Sequence, residues 1–320
     1  MKNKFVLWLS VVLLVILIAF MAKDLFVDEQ NSQKNVYEYD LAELKRIDPE
    51  LISHKETKQI RLSAEELHGI AIDQNDQIYI STDKNVFVYS PEGKQINALK
   101  LRESARCLAI TEDGNIAVGM KNRVDIRKPD GSLKNSFLVA GDRTFITSIA
   151  IQGENIFIAD AGQKIIHHYD MDGNKLKEIG EQDKEAGIKG FVIPSPYFDV
   201  LIGRQGELWA VNPGRHAFEA YNTDGDQIST WNRTSMSVDG FSGCCNPSNI
   251  AMLSDGSFVT VEKGIERVKI HLPSGDFKSV VAAPDLFEEK TVGIDLAVDS
   301  EDRIYVLDPV KKMIRVFEAK

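Results

Sequence analysis

The chain has 320 residues, of which 43% are hydrophobic and 27% are charged. This balance supplies enough apolar side chains for a large core and excludes a disordered chain. Lysine and arginine together number 38 against 48 aspartates and glutamates, so the formal net charge is −10. An acidic protein repels the phosphate backbone of nucleic acids, and we expect no nucleic-acid partner.

The first predicted element is an apolar segment, residues 5–22, in which Ser10 is the only polar side chain. As a helix, this segment is just long enough to cross the hydrocarbon core of a bilayer. Two lysines precede it and an acidic stretch follows it, so the positive-inside rule predicts a cytoplasmic N-terminus and a periplasmic remainder. We predict an uncleaved transmembrane signal-anchor at 1–22 in the cell membrane; a cleaved signal peptide is the alternative.

Residues 23–55 are predicted to form a polar tether between the anchor and the rest of the chain. They mix acidic, basic and amide side chains with one helix-compatible patch at 41–47. Pro49 follows this patch and is expected to end it. The tether therefore carries little apolar surface of its own.

From Gly69 onward one pattern recurs six times, with three apolar runs per copy separated by polar turns and closed by a turn that contains glycine. The first copy reads Gly69-Ile-Ala-Ile-Asp73, Gln77-Ile-Tyr-Ile-Ser81 and Val86-Phe-Val-Tyr89. A period of about 40–50 residues is typical of four-stranded propeller blades, which bury their faces only by stacking on one another. The sequence therefore predicts an all-β, six-bladed β-propeller at 56–320.

The sixth copy starts at Asp295 and supplies only three strands before Lys320. An incomplete blade would expose a row of unpaired backbone groups. Segment 57–63 has the length and apolar content of one strand and belongs to no other copy. We predict that it supplies the missing strand and closes the ring.

Two connections between blades, 180–196 and 233–248, are longer than the others and lie on the face where the inner strands begin. Long loops on a rigid scaffold commonly carry binding function. The second connection contains Cys244 and Cys245. Three interpretations stay open for this pair: a vicinal disulfide, a disulfide from one of them to Cys107, or binding of a metal or a partner thiol.

The second strand of blades three to six ends in a polar residue: Asp160, Asn212, Glu262 and Asp308. A basic residue follows each of them closely: Lys164, Arg215, Arg267 and Lys312. In the structural interpretation the polar residue caps the turn and pairs with the base. In the functional interpretation these oxygens form a ring of ligands around the channel, suited to a hard cation or to polar groups of a partner.

The repeats resemble NHL repeats, for example in Asn155-Ile-Phe-Ile-Ala-Asp160 and Arg303-Ile-Tyr-Val-Leu-Asp308. The block Gly243-Cys-Cys-Asn-Pro247 resembles more narrowly a group of exported bacterial NHL-type propellers. The resemblance implies an exported propeller and does not imply a particular reaction.

The chain is also distantly similar to gluconolactonase-like propellers, through Pro247-Ser-Asn249 and Glu262. That resemblance implies a divalent cation such as Ca²⁺, held by Asn249, Glu262, Asn212 and Asp308, and the hydrolysis of lactones or related esters. The glutamate that these propellers carry in their first blade is missing, because the strand begins His68-Gly-Ile70.

No complete catalytic set is recognisable in the sequence. We therefore expect a membrane-tethered binding or scaffold module for a protein or small ligand, without a cofactor, rather than an enzyme. The alternative is a metal-dependent lactonase or esterase-like hydrolase. The predicted working face carries Asn212, Arg215, His216, Cys244, Cys245, Asn249, Glu262 and Lys263.

Overall fold

The computed structural model describes residues 4, 8, 11–19, 41–64, 66–182, 185 and 189–320. The chain divides into two compact units, Met1–Leu41 and Ala42–Lys320. Within the predicted span at 5–22, residues 8 and 11–19 are helical, whereas residues 5–7, 9, 10 and 20–22 and the tether residues 23–40 lie outside the described part. No described helix combines the length and apolarity that crossing a bilayer requires.

The described part of the second unit forms six separate four-stranded antiparallel sheets, which confirms the six-bladed β-propeller. The first strand in the chain, β1 (His54–Arg61), belongs to the last blade. Blade 1 consists of β2 (Leu67–Ile72), β3 (Ile78–Thr82), β4 (Asn85–Tyr89) and β5 (Gln95–Lys100). Blade 2 consists of β6 (Cys107–Ile110), β7 (Ile116–Gly119), β8 (Arg123–Arg127) and β9 (Leu133–Leu138). Blade 3 consists of β10 (Ile146–Gln152), β11 (Asn155–Asp160), β12 (Ile165–Asp170) and β13 (Lys175–Ile179).

The remaining blades follow the same order from the channel outward. Blade 4 consists of β14 (Val200–Ile202), β15 (Leu208–Asn212), β16 (Ala217–Tyr221) and β17 (Gln227–Asn232). Blade 5 consists of β18 (Asn249–Met252), β19 (Phe258–Glu262), β20 (Arg267–His271) and β21 (Phe277–Ala282). Blade 6 consists of β22 (Asp295–Val298), β23 (Ile304–Asp308) and β24 (Met313–Ala319), with β1 as its outer strand.

Burial differs between the strands of a blade and explains their sequences. Every residue of β15, β19 and β23 is buried, because neighbouring blades cover both faces of a second strand. Such strands read as continuous apolar runs rather than alternating ones. The outer strand β5, by contrast, is exposed at all positions but one. Buried apolar clusters lie between successive blades all around the ring and hold it together.

The ring closes where β1 pairs antiparallel with β24. The register places Ile60 opposite Ile314 and His54 opposite Ala319. One residue beyond that pair, the amide of Lys320 donates a hydrogen bond to the carbonyl of Ser53 at 2.9 Å. The closing strand therefore starts three residues earlier than the segment 57–63 suggests and ends at Arg61.

Short helices occur outside the sheets. The patch at 41–47 contains a single helical turn, Leu41–Leu44. The 3-10 helices in the described part of the chain, Pro49–Leu51, Pro213–Arg215 and Pro284–Leu286, each begin with proline. Proline suits this position because its φ is already helical and its missing N–H would be unpaired there.

The segment 45–53 packs on blade 5, although the sequence assigns it to a polar tether. The Lys45 ammonium lies 2.8 Å from a carboxylate oxygen of Glu266. Further along, the Ser53 hydroxyl donates to the Ser279 hydroxyl at 2.7 Å, and Ile52 forms a β-bridge with Val280. The chain is thus fixed to the ring well before β1 begins.

Candidate ligand-binding site at the channel mouth

Each inner strand presents one equivalent residue to the central channel. The cross-strand register and the hydrogen bond from Val211 to Asp199 identify these residues as Gly69, Cys107, Ser148, Asp199, Asn249 and Asp295. All of them except Gly69 line a cavity of about 130 Å³, which we call the channel cavity. Its wall is therefore polar on the side of blades 3 to 6.

Asp199 connects three blades at this level. Its carboxylate accepts a hydrogen bond from the Ser148 hydroxyl of blade 3 at 2.5 Å. It also accepts one from the amide of Ile250 in blade 5 at 2.7 Å. The side chain thus holds the neighbouring inner strands in register.

Asp295 repeats the arrangement on the other side of the channel. Its carboxylate accepts hydrogen bonds from the Asn249 amide group at 3.0 Å and from the backbone amide of Ile70 at 2.9 Å. These bonds connect blade 5 to blade 6 and blade 6 to blade 1. Asn249, a predicted site residue, therefore does reach the channel.

Both carboxylates titrate at unusually high pH. Burial raises the pKa of Asp199 to about 6. Burial, followed by the negative charge of Asp199, raises the pKa of Asp295 to about 7. Because the two groups interact, the negative charge of one raises the pKa of the other.

A second cavity of about 230 Å³, the mouth cavity, opens above the channel cavity and shares His68, Arg106, Thr147 and Asn249 with it. The guanidinium carbon of Arg106 lies 4.2 Å from the ring centroid of Phe145. The aromatic ring of Tyr197 lines the same cavity, with the Lys263 ammonium 4.8 Å from its centroid. Two cations therefore flank an aromatic-walled opening.

His68, Asp83 and Ser104 lie together beside this opening, but they do not form a nucleophilic triad. The Nε2 atom of His68 and the hydroxyl of Ser104 both bond the same Asp83 oxygen, at 2.8 and 2.6 Å. The serine hydroxyl is 3.5 Å from that same Nε2 atom. In a triad the histidine uses one nitrogen for the acid and the other for the nucleophile.

The loop at 240–248, which we call the Cys244 loop, borders the mouth cavity through Ser248. Cys244 is exposed and Cys245 is buried, and their sulfur atoms are 3.3 Å apart. This separation is well above a disulfide bond length of about 2.05 Å. Cys107 is free and buried in the wall of the channel cavity, so the interpretation that pairs it with Cys244 or Cys245 is not met.

His216 and Lys263 hold the Cys244 loop in place. The imidazole of His216 bonds the Thr234 hydroxyl at 3.0 Å through Nδ1 and the Gly243 carbonyl through Nε2. The amide of Lys263 donates to the Asn246 side chain at 2.7 Å. Four predicted site residues, His216, Cys244, Cys245 and Lys263, thus belong to one local structure.

The polar residues that end the second strands bond within their own regions and do not form a ring of ligands. Glu262 is fully buried and pairs with Arg267 at 2.6 Å and Lys269 at 3.1 Å. Asp308 accepts the amides of Val310 and Lys311 in its own turn. These contacts match the structural interpretation of a capped turn.

The side chain of Asn212 is likewise engaged in hydrogen bonds within its own region. Its side-chain oxygen accepts the amide of Val192 at 2.9 Å, and its amide donates to Glu219 at 2.8 Å. Arg215, its neighbour in the turn, donates to the Lys189 carbonyl at 3.1 Å. Arg215 lines a separate cavity of about 1140 Å³, which lies against the outer strands β13 and β17 rather than the channel.

Lys164 and Lys312, which the sequence suggests as basic partners of Asp160 and Asp308, occupy a turn position instead. Lys164 and Lys312 have φ values of 62° and 52°, and His216 and Glu266 occupy the equivalent position with 52° and 51°. This position of the turn requires left-handed backbone, so its residue is selected for conformation rather than charge. The bases that face Asp308 and Glu262 come from the third strand instead, as Arg315 and Lys269 do.

The predicted metal ligands are therefore not brought together. Asn249 bonds Asp295 at the channel, whereas Glu262, Asn212 and Asp308 are engaged inside their blades. Within the described ranges, no three histidine, cysteine, aspartate or glutamate side chains come close enough to hold a metal ion.

Sequence reasoning missed Asp199, Asp295 and Arg106 as site residues. The signal was present in the repeat, because aligning the inner strands places aspartate at one position of blades 4 and 6, where blade 1 has Gly69. Arg106 directly precedes the equivalent Cys107 of blade 2. Its orientation over Phe145 depends on the neighbouring blade and has no local signature.

The chain matches no family model and no curated protein. Solved structures do share its fold. A streptogramin B lyase structure has a TM-score of 0.62 at 11% identity, covering 84% of this chain and 98% of that chain. A catalytically inactive histidine-to-alanine variant of virginiamycin B lyase from Staphylococcus aureus, solved with quinupristin, has a TM-score of 0.60 at 15% identity, covering 83% and 100%.

A third similar structure is a structural-genomics protein of unknown function from Bacteroides thetaiotaomicron, with a TM-score of 0.60 at 12% identity. It covers 83% of this chain, which in turn covers 72% of that one. At these identities the likeness shows a shared propeller fold and carries no reaction with it.

Proposed function

We propose that this protein is a membrane-tethered, extracytoplasmic NHL-type β-propeller that binds a small ligand at its channel mouth. The observation that carries the proposal is the mouth cavity itself. It is concave, it has aromatic walls, and Arg106 and Lys263, which pair with no acidic group of the described residues, lie against those aromatic rings. Such a combination is typical of ligand sites. The Cys244 loop borders it and belongs to the same working face.

The test compares two pairs of substitutions in the full chain purified in detergent. Arg106→Ala with Tyr197→Ala removes two walls of the mouth cavity. Gln74→Ala with Glu112→Ala alters exposed side chains on the opposite face and serves as the control. Native mass spectrometry of the protein from its own cells should show a bound small molecule that the first pair loses and the second keeps. Equal retention by both variants would contradict the proposal.

One observation favours the alternative of a metal-dependent hydrolase. The floor of the channel offers two carboxylates, Asp199 and Asp295, with the Asn249 amide and the Ser148 hydroxyl beside them. Carboxylate, amide and hydroxyl oxygens suit a hard divalent cation such as Ca²⁺. These residues, rather than Glu262, Asn212 and Asp308, would hold it, and the cation would polarise an ester carbonyl.

Elemental analysis of the full chain separates the two functions. If the alternative holds, the protein carries stoichiometric divalent metal that Asp295→Asn removes and Glu262→Gln retains. Metal-free protein that still binds a small molecule supports the binding module.

A further inference from the structure

Arg106 carries a positive charge that no described acidic side chain neutralises. This half-buried side chain contacts the face of Phe145. No acidic group of the described residues lies within ion-pair distance of its guanidinium, and none of their acceptors receives a hydrogen bond from it. A guanidinium carries five donors in a planar fork that matches a carboxylate. Arg106 lines the mouth cavity, so a ligand bound there lies beside these donors.

A second cation adds to the positive field. The Lys263 ammonium lies above Tyr197, and the described part of the chain offers it no ion pair either. Inside a concave and partly apolar site, such charges act over a longer range than they do in water. The upper wall of the cavity therefore attracts anions although the whole protein is acidic.

The size of the mouth cavity sets how much of a ligand it can enclose. Its volume of about 230 Å³ corresponds to seven or eight liquid water molecules at about 30 Å³ each. A ligand of about ten non-hydrogen atoms fits that volume. The rings of Phe145 and Tyr197 supply apolar surface for the part of the ligand that does not carry its charge.

The floor of the channel limits the ligand's charge. Asp199 and Asp295 lie below the opening, and Asn249 borders both cavities. Above about pH 7, where the raised pKa values still leave both carboxylates ionised, a second negative charge pointing downward would be repelled by them. The arrangement therefore favours one negative charge at the rim over a dianion such as a phosphate monoester.

We propose that the mouth cavity binds a small monocarboxylate, with its carboxylate on Arg106 and its remaining atoms against Phe145 and Tyr197. This rests on the proposed binding function and names its ligand class.

The experiment measures binding to the full chain in detergent by titration calorimetry. The probes are benzoate, hexanoate and lactate, each paired with its neutral primary amide, together with benzylamine and phenyl phosphate. Arg106→Gln removes the charge at similar length, Arg106→Lys keeps it without the fork, and Arg102→Gln is the control. Arg102 is exposed and lines a different cavity.

We expect at least one carboxylate to bind at least tenfold more tightly than its amide and than phenyl phosphate. Arg106→Gln should weaken that binding at least tenfold, Arg106→Lys should weaken it less, and Arg102→Gln should leave it unchanged. Comparing acid with amide on the unaltered chain keeps the test decisive even if a variant fails to fold.

Amides or benzylamine binding as tightly as the acids, or carboxylate binding unaffected by Arg106→Gln, would overturn the monocarboxylate assignment while leaving the binding function intact. Tighter binding of phenyl phosphate would overturn it in favour of a dianion. If no probe binds, the assignment fails, and the mass-spectrometric comparison of the mouth and control variants decides the binding function separately.

Discussion

Glu262 illustrates how a buried acid can look functional in a sequence and serve stability in the fold. Its carboxylate is fully buried between Arg267 and Lys269, so removing its charge leaves two cations without their partner. Breaking such a buried pair costs about 3–5 kcal/mol of the free energy of unfolding. We predict that Glu262→Gln lowers stability by this amount in denaturant unfolding. Glu289→Gln, at an exposed position, is the control and should change it by less than about 0.5 kcal/mol. Unchanged stability of Glu262→Gln would show that the cluster is not paired as described.

The channel carboxylates predict an unusual pH dependence. In the unfolded chain an aspartate releases its proton near pH 4, whereas burial raises the pKa of Asp199 to about 6 and of Asp295 to about 7 in the fold. Between these limits the folded protein binds more protons than the unfolded chain, so this pair makes stability fall as pH rises from about 4 to about 7. Buried His271, whose pKa is lowered to about 3 by burial and by Lys269, acts in the opposite direction.

Asp295→Asn removes one carboxylate of this pair and so tests its contribution to the pH dependence of stability. Urea unfolding from pH 4.5 to 7.5 should show that the stability of this variant relative to the unaltered protein rises with pH. A difference that stays constant across the range would mean that Asp295 titrates normally. The histidine contribution cancels in this comparison because both proteins contain it.

At the level of elements, the Cys244 loop contains one exposed thiol, Cys244, and one buried thiol, Cys245. Cys245 is buried, so Cys245→Ser replaces its thiol with a more polar buried hydroxyl and should cost about 1–3 kcal/mol. Cys244 is exposed, and Cys244→Ser should leave the melting temperature nearly unchanged. If the loop takes part in binding, the Cys244→Ser protein loses its bound ligand at unchanged stability. Intact binding in both variants would give the pair a purely structural role.

The closing strand gives a second prediction at this scale. Ile60 is buried against blades 6 and 1, so Ile60→Ala should destabilise the ring by about 2–5 kcal/mol. Its exposed neighbour Gln59 offers a matched control, since Gln59→Ala changes the same strand without opening a cavity. Chemical unfolding of the two variants measures the difference. Equal stabilities would indicate that β1 contributes little to holding the ring closed.

The blades were predictable because each one repeats the same apolar runs, and runs such as Ile78-Tyr-Ile80 are buried as the pattern indicates. The site was less predictable because its contacts join different blades. Asp199 accepts bonds from residues in blades 3 and 5, which are about 50 positions away in sequence. Lys164 was interpreted as a basic partner of Asp160, whereas it occupies a turn position with left-handed backbone. The sequence alone does not distinguish a lysine at such a position from one that pairs with an acid.

For the whole molecule, the predicted anchor has a direct test. If residues 1–22 stay in the chain, the protein should remain with membranes in high salt, because a spanning helix is held by its apolar length and not by charge. A tag after Lys320 should be reached by protease once the outer barrier is permeabilised. Release of a soluble form that begins near residue 23 would contradict the anchor.

The hydrogen bond between Ser53 and Lys320 brings the two ends of the propeller to one point. The ring of blades is therefore closed, and a chain that started in a different blade could form the same strand pairings. A circular permutant, joined by a short glycine-serine linker from 320 to 53 and opened in the tight turn between Asp172 and Gly173, keeps every strand pairing. It should fold to the same sheet content by circular dichroism. Failure to fold would mean that the order of synthesis, and not the final set of contacts, decides how the ring closes.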